Sequence, residues 1–175
     1  MTTPKKVLLA AMVFVTFGAF APMRALAGDN ATPDEVYGLI LKAVPVIEEL
    51  GPEGLEAFQD PHGEFVYKDT YVLVLDCANM VLAAHPNKKL IGLDLKNHLD
   101  KNPDPAKRKN HDAEICKVSA RPNGGWVEYY WEKLGSSEPA RKISFALKVP
   151  GTDYTVVAGI YDEATSVEEL NATLK

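Results

Sequence analysis

The amino-acid sequence predicts an α+β domain with a five-stranded antiparallel sheet, a long N-terminal helix and a helical excursion between the strands. Three observations support this prediction. An amphipathic run with helix-capping residues covers 32–50. Two apolar, strand-like runs, 71–76 and 80–84, are separated by a tight turn. Three further strand patterns, joined by turns, fill 126–161. Helices and strands that are segregated along the chain in this way are typical of α+β domains.

The first helix is predicted from its start signals and its stop signals. Thr32 and Glu35 form the pattern of a capping box, and Pro33 suits the first helical turn. Apolar residues then recur at helical spacing, so we expect this stripe to pack on the sheet. Gly51 and Pro52 end the helix. A shorter helix is expected over 53–59.

The strands follow from apolar runs and from alternation. The runs 71–76 and 80–84 are apolar on both faces, which indicates a sheet that is covered on both sides. Residues 142–149 alternate between a fully apolar face and a more polar face that includes Ala146, as a half-buried strand does. The remaining strands and a terminal helix are predicted at 126–131, 154–161 and 166–174.

The long connection over 87–122 is polar, lysine-rich and irregular. Short helices are predicted within it over 90–99 and 111–120. Connections of this length in a compact domain usually have a function, so we expect this one to form a wall of a pocket. A solvated surface excursion is the alternative.

The N-terminus has the pattern of a secretory signal peptide. A short basic region precedes an uncharged apolar run over 7–21, and Ala25-Leu26-Ala27 is a small-x-small cleavage site. We therefore expect 1–27 to be removed, leaving one domain over 28–175 that is periplasmic or secreted. An uncleaved anchor is the alternative, although the apolar run is too short for a good transmembrane helix. No stable membrane insertion is expected after cleavage.

The charge balance argues against nucleic acid as a partner. The formal net charge of the whole chain is −5, and the basic residues at its start belong to the predicted signal peptide. An acidic exported domain is poorly suited to binding phosphate backbones or anionic lipid surfaces.

The two cysteines, Cys77 and Cys116, both lie in the predicted mature domain. Their spacing matches neither a C-x-x-C redox motif nor a C-x-x-C-H haem motif. An oxidising compartment would allow a disulfide between them. Two partly buried free thiols are the other interpretation, and the sequence leaves both open.

Several short motifs together carry a family resemblance. They are Ala-His-Pro at 84–86, Leu-Ile-Gly at 90–92, Gly-Trp-Val-x-Tyr-x-Trp at 125–131, and Gly-Thr-Asp-Tyr…Ala-Gly-Ile-Tyr within 151–161, with a lysine opening the preceding strand. Over about 33–165 the chain resembles a single Cache domain, the extracytoplasmic sensor module related to the PAS fold. In that family the module usually lies between two transmembrane helices of a chemoreceptor or histidine kinase, whereas this chain looks like a free-standing, exported form.

The resemblance implies a small organic ligand, held between the sheet and the excursion. Short carboxylates are favoured, and amino acids or amines are also found in the family. Lys142 would meet such a carboxylate through a charge-assisted hydrogen bond, with Ser144 on the same strand face. The alternatives for Lys142 are an exposed strand-end lysine or a pair with Glu128 or Asp153.

Three aromatic residues are candidates for the pocket walls. Alternation along the strand places Trp126 on one face and Tyr129 with Trp131 on the other, so only one set can line a given pocket unless a bulge intervenes. The sequence leaves open which set it is. His85, at the expected pocket mouth, and the hydroxyl of Tyr71 are further candidates.

The sequence contains no motif that supports a metal site or an enzyme. His62, His98 and His111 show no ligand spacing such as H-x-H or H-E-x-x-H, so no metal site and no cofactor are expected. The sequence also lacks the motif context of a nucleophile–base pair, so we expect no enzyme.

The sequence thus predicts a soluble periplasmic sensor-type domain that binds a small organic molecule. We expect the domain to act in signal transduction or chemotaxis, with a membrane sensor or a transport protein as its candidate partner. A protein–protein interaction domain without a small ligand is the alternative.

Overall fold

The computed structural model describes residues 30–133 and 135–174 of the 175-residue chain. The predicted signal peptide over 1–27 lies outside the described residues. None of the helices in the described part has both the length and the apolar character that a membrane span requires.

Helix α1 spans Pro33–Leu50 and begins with the predicted capping box. The Thr32 hydroxyl accepts a hydrogen bond from the Glu35 backbone N–H at 3.3 Å, and the Glu35 carboxylate accepts one from the Thr32 N–H at 2.9 Å. Gly51 has φ +59°, a conformation that glycine adopts without strain, and it ends the helix. A 3₁₀ helix over Gly51–Phe58 follows it, close to the predicted short helix.

The central sheet has five antiparallel strands, as predicted. Its spatial order is β4-β3-β7-β6-β5. A two-stranded hairpin, β1 with β2, precedes it and was not predicted. Together the seven strands are β1 (Val66–Tyr67), β2 (Thr70–Tyr71), β3 (Leu73–Asp76), β4 (Val81–Ala84), β5 (Gly125–Glu132), β6 (Pro139–Lys148) and β7 (Tyr154–Tyr161).

Both faces of the sheet are covered, as the two-sided apolar strands indicated. Helix α1 packs its apolar stripe on one face, and this layer contains most of the core. The other face carries a second apolar cluster built with the excursion. Alternation along β6 divides its residues between the layers, so Ile143 and Phe145 join the α1 layer while Ala146 joins the excursion layer.

The excursion contains one α-helix, α2 (His111–Ser119), which confirms the second of its two predicted helices. The helix predicted over 90–99 is wrong. There the chain runs beside the edge strand β4: the Leu82 N–H donates to the Leu93 carbonyl at 3.1 Å, and the Gly92 N–H donates to the Leu82 carbonyl at 2.9 Å. Pairing with a free strand edge therefore replaces helical hydrogen bonds, and Gly92 at φ +88° turns the chain.

Helix α3 (Val167–Thr173) closes the chain against β5. The side-chain amide of Asn171 accepts a hydrogen bond from the Trp126 N–H at 2.9 Å and donates one to the Trp126 carbonyl at 3.0 Å. This double contact satisfies the backbone of β5 near its start and fixes the strand against the terminal helix.

Candidate functional site

A cavity lies between the sheet and the excursion, on the face away from α1. Its volume is about 40 Å³, roughly three times the minimum that one water molecule needs. About half of its lining residues are aliphatic, and polar groups gather at two places. The aliphatic residues are Leu73, Leu75, Leu82, Leu90, Leu93, Leu95 and Ile115.

Lys142 forms the cationic end of this cavity. It lies near the start of the inner strand β6, opposite Tyr129 of β5 and Tyr161 of β7. Its side chain is almost entirely buried, with 1% relative exposure. The ammonium Nζ is 4.3 Å from the ring centroid of Tyr71 and 5.0 Å from that of Tyr161. Cation–π attraction to two rings stabilises the charge in part.

The ammonium of Lys142 has no carboxylate partner in the part of the chain that the structure describes: no Asp or Glu oxygen lies within 4.0 Å of it. Glu128, one of the partners considered from the sequence, pairs with Arg141 at 2.5 Å instead. Buried charges are normally paired, because removing them from water costs several kcal/mol. Lys142 is therefore neither an exposed strand-end lysine nor half of an internal ion pair.

The charge state of Lys142 is set by two opposing effects. Burial by itself lowers the pKa of a lysine, but the three surrounding tyrosines outweigh it and raise the pKa of Lys142 above its ordinary value of 10.5. Burial raises the pKa of Tyr129 and of Tyr161. At neutral pH the Lys142 ammonium is therefore charged, beside the neutral phenols of Tyr129 and Tyr161.

His85 lies beside this cationic end and lines the cavity. Its ring packs edge-on against Tyr71, with 4.9 Å between the centroids. Nδ1 accepts a hydrogen bond from the Asn87 backbone N–H at 2.8 Å. Burial, and then the charge of Lys142, lower the pKa of His85 to about 4. The neutral ring therefore carries its proton on Nε2, which makes it a hydrogen-bond donor.

The strand faces resolve which aromatic set lines the cavity. Tyr129 and Trp131 both do so. The Tyr129 hydroxyl forms a hydrogen bond with the Ser144 hydroxyl at 2.9 Å, and Ser144 is fully buried behind it. Ser144 thus fixes the orientation of Tyr129 and is not among the cavity-lining residues.

Trp126, a predicted pocket residue, belongs to the opposite layer. Its ring packs against Phe145 with 5.2 Å between centroids, within the α1 core. The strand alternates without a bulge between Trp126 and Tyr129, so the two rings must point to opposite faces. The placement of Trp126 in the pocket is therefore corrected.

A second polar group lines the cavity, and sequence reasoning missed it. It consists of His98, His111 and Asp112. His98 Nδ1 is 2.7 Å from an Asp112 carboxylate oxygen. The His111 ring stacks on Tyr129 with 4.3 Å between centroids, and burial lowers the pKa of His111 to about 4. The usable sequence signal was Asn110, a helix cap that places the next two residues in the first turn of α2.

A disulfide joins Cys77 to Cys116, with 5.7 Å between their Cα atoms. Of the two interpretations that the sequence left open, the structure shows the paired form. Cys77 follows β3 directly and Cys116 is on α2, so the bond connects the sheet to the excursion. Both residues pack against the apolar cluster that surrounds the cavity.

A family model of the Cache domain matches residues 64–166, which is more than half of the chain. The chain belongs to the Cache domain family. Cache domains are extracytoplasmic sensor modules that bind ligands and are not enzymes. The match includes every strand of the central sheet and the whole excursion.

Solved Cache domains share the architecture. A periplasmic sensor domain of a chemotaxis protein is 26% identical over 74% of this chain and 90% of its own, with a TM-score of 0.56. A methyl-accepting chemotaxis protein from Vibrio parahaemolyticus is 20% identical over 73% of this chain and 86% of its own, with a TM-score of 0.60. A Cache chemosensory domain studied for carboxylic acid recognition is 22% identical over 74% of this chain and 92% of its own, also with a TM-score of 0.60. At 20% and 22% identity, the last two show the fold alone.

Proposed function

We propose that this chain is an exported Cache sensor domain that binds a small organic acid, with the ligand carboxylate against Lys142. The single observation that carries the proposal is a buried ammonium, facing a cavity, with no carboxylate partner among the described residues. A ligand carboxylate supplies the missing partner. A charge-assisted hydrogen bond of this kind is worth about 1.5–3 kcal/mol.

The groups around Lys142 suit a carboxylate better than they suit an amine. The Nε2–H of neutral His85 is a donor at the end of the cavity that Tyr71 and Tyr129 also line. A ligand ammonium placed there would meet the Lys142 charge at short range and be repelled. One of the similar structures was studied for carboxylic acid recognition, which agrees with this choice.

The size and walls of the cavity restrict the ligand further. A volume of about 40 Å³ has room for only a few heavy atoms, and the aliphatic wall favours a short hydrocarbon tail. Acetate and propionate fit this description. Lactate and pyruvate add a polar atom that must find a partner or remain unsatisfied.

The test is a thermal-shift and calorimetric titration of the purified protein with propionate. Lys142→Met should weaken binding by about 10–100-fold, since each tenfold change is about 1.4 kcal/mol. Lys148→Met is the matched control: Lys148 stands on the same strand but is exposed, so affinity should match the wild type. Equal binding by the Lys142→Met protein would remove the proposed role of that residue.

A broader panel separates the proposal from a protein-docking role. Short carboxylates, amino acids and amines should be screened for thermal stabilisation of the wild-type protein. Stabilisation by acids that is strongest for two to three carbons supports the small-ligand function. If no compound of the panel stabilises the protein, an interaction domain that presents its surface to a membrane sensor becomes the better interpretation.

The compartment is part of the proposal. The basic and apolar start of the sequence and Ala25-Leu26-Ala27 support export and cleavage after Ala27. The disulfide agrees with an oxidising compartment. Intact-mass measurement of the protein recovered from the periplasm checks this: the expected chain begins at Gly28, and recovery of the uncleaved chain in the membrane fraction would contradict it.

A further inference from the structure

The cluster of His98, His111 and Asp112 has the composition of a metal site. His98 Nδ1 is 2.7 Å from one Asp112 carboxylate oxygen, and His111 Nε2 is 3.6 Å from the other. One potential ligand atom from each residue lies within 4.8 Å of the others. Around tetrahedral Zn²⁺ the ligand atoms are about 3.3 Å apart. The two observed distances lie on either side of that value and reach different carboxylate oxygens, so the side chains would have to adjust for one set of ligand atoms to surround the metal.

The polar atoms of the cluster are poorly satisfied without a ligand. The side chains of His111 and Asp112 are only 5% and 7% exposed. His111 Nδ1 is buried and has no hydrogen-bond partner, while the other ring nitrogen, Nε2, faces Asp112. Within the described residues, no lysine or arginine nitrogen lies within 4.0 Å of the Asp112 carboxylate, whose partners are the two imidazoles. A buried carboxylate beside one buried and one partly exposed imidazole is a favourable place for a cation.

The three side chains are held in place by elements outside the cluster. Asn110 caps α2 through the Ala113 N–H at 2.9 Å and donates from Nδ2 to the carbonyls of Leu95 and Lys96. This contact fixes the start of α2 against the segment that carries His98. Trp131 packs edge-on against the His98 ring, with 5.1 Å between centroids. Rings held by packing in this way lose little freedom when a metal binds.

We propose that His98, His111 and Asp112 bind a divalent transition-metal ion, with Zn²⁺ as the expected metal. Two imidazole nitrogens and one carboxylate oxygen suit Zn²⁺, whereas Mg²⁺ and Ca²⁺ require mostly oxygen ligands. Three protein ligands leave a fourth tetrahedral position, and because the cluster lines the cavity this position is open to water or a small anion. The site uses residues other than Lys142 but opens on the same cavity, so a bound ion and the proposed carboxylate contact would be neighbours.

The test is calorimetric titration with ZnCl₂ of the protein purified without a histidine tag and freed of metal by EDTA dialysis. One Zn²⁺ should bind per chain. His98→Gln and Asp112→Asn should each weaken binding on the order of 100-fold. His62→Gln is the matched control. It changes an exposed histidine that is not part of the cluster, so this variant should bind Zn²⁺ like the wild type. Co²⁺ should give the strong visible absorption of tetrahedral coordination in the wild type and lose it in both cluster variants.

Two results would overturn the metal site: no stoichiometric Zn²⁺ uptake by the wild type, or equal affinity in the His98→Gln protein and the His62→Gln protein. Circular dichroism establishes that each variant is folded. If Asp112→Asn does not fold, His98→Gln decides, because the His98 side chain is 21% exposed and tolerates a polar replacement. Propionate titration of the metal-free protein tests the Lys142 contact separately. Lys142→Met should lose propionate affinity and keep the Zn²⁺ site.

Discussion

The ring of His85 accepts a hydrogen bond at Nδ1 from the backbone N–H of Asn87, 2.8 Å away. The acceptor nitrogen cannot also carry a proton, so this contact requires the neutral ring. Burial and the nearby Lys142 charge act in the same direction and lower the pKa of His85 to about 4. Protonation would break the Asn87 contact and place a second cation beside Lys142 and the Tyr71 ring.

The first prediction is that acid destabilises the fold through His85. The unfolded chain binds a proton near pH 6.5 and the folded chain only near pH 4, so the free energy of unfolding falls as pH drops through that window. The loss from His85 should reach about 3 kcal/mol. Urea denaturation across the window measures it. His85→Gln should flatten the pH dependence, leaving the similar contribution of His111, and an unchanged profile would contradict the prediction.

Gly159 should be intolerant of a side chain. It lies on β7 opposite Ser144, and a Cβ there would be 2.7 Å from the Ile143 carbonyl oxygen and closer still to the Ser144 hydroxyl. Gly159→Ala should lower the free energy of unfolding by about 1–3 kcal/mol, because a strand backbone has to shift. It should also weaken propionate binding, because Ser144 holds the Tyr129 hydroxyl.

The control for this prediction is Gly38→Ala, measured by the same chemical denaturation. Gly38 lies within α1, and a Cβ there meets no atom within 4 Å. Alanine should therefore stabilise the protein by about 0.5–1 kcal/mol. If both substitutions changed the free energy of unfolding equally, close packing at Gly159 could not be the cause of the loss of stability.

Loss of the disulfide should weaken stability and ligand binding together. Cys77 and Cys116 are separated by 39 residues, and cross-linking a loop of this length stabilises by about 2–4 kcal/mol. The double variant Cys77→Ser/Cys116→Ser should unfold at a correspondingly lower urea concentration. It should also bind propionate less tightly, because α2 carries part of the cavity wall. Dithiothreitol should reproduce both effects in the wild type and change nothing in the double variant. Retention of full affinity after reduction would mean that α2 holds its position without the bond.

The two tryptophans should report differently on the ligand. Trp131 lines the cavity, whereas Trp126 packs in the α1 layer. Propionate should change the emission of the wild type and of Trp126→Phe to a similar extent, and the change should vanish in Trp131→Phe. Loss of the emission change in Trp126→Phe would contradict this prediction, because it would place the ligand on the α1 face of the sheet.

Local signals in the sequence predicted most of the fold. The capping box at Thr32 and the turn at Gly51 fixed the bounds of α1 because caps act within a few residues. Alternation along β6 placed Lys142 on the less apolar face of the strand, since successive strand residues point to opposite sides, and in the structure this face lies away from α1. The family resemblance then singled out that lysine as the contact for a ligand.

Features that depend on distant partners escaped prediction. Leu90, Leu93 and Leu95 line the cavity from a segment that pairs with the edge of β4. This pairing could not be predicted, because no local sequence pattern shows that a strand edge is free. The face of Trp126 was decided by the layers formed by α1 and α3, which alternation alone cannot identify. His98 and Asp112 meet only because the excursion folds back on itself.

The Cys77–Cys116 bond also bears on how a ligand enters and leaves. It ties the middle of α2 to the end of β3, so this helix cannot swing outward as a lid while the bond is intact. The other wall, the segment over 87–110, has no such covalent tie: hydrogen bonds hold it to the edge of β4, to Asn110 and to Tyr130 of β5. We therefore expect ligand exchange to break these hydrogen bonds, with a rate governed by the loop and not by the helix.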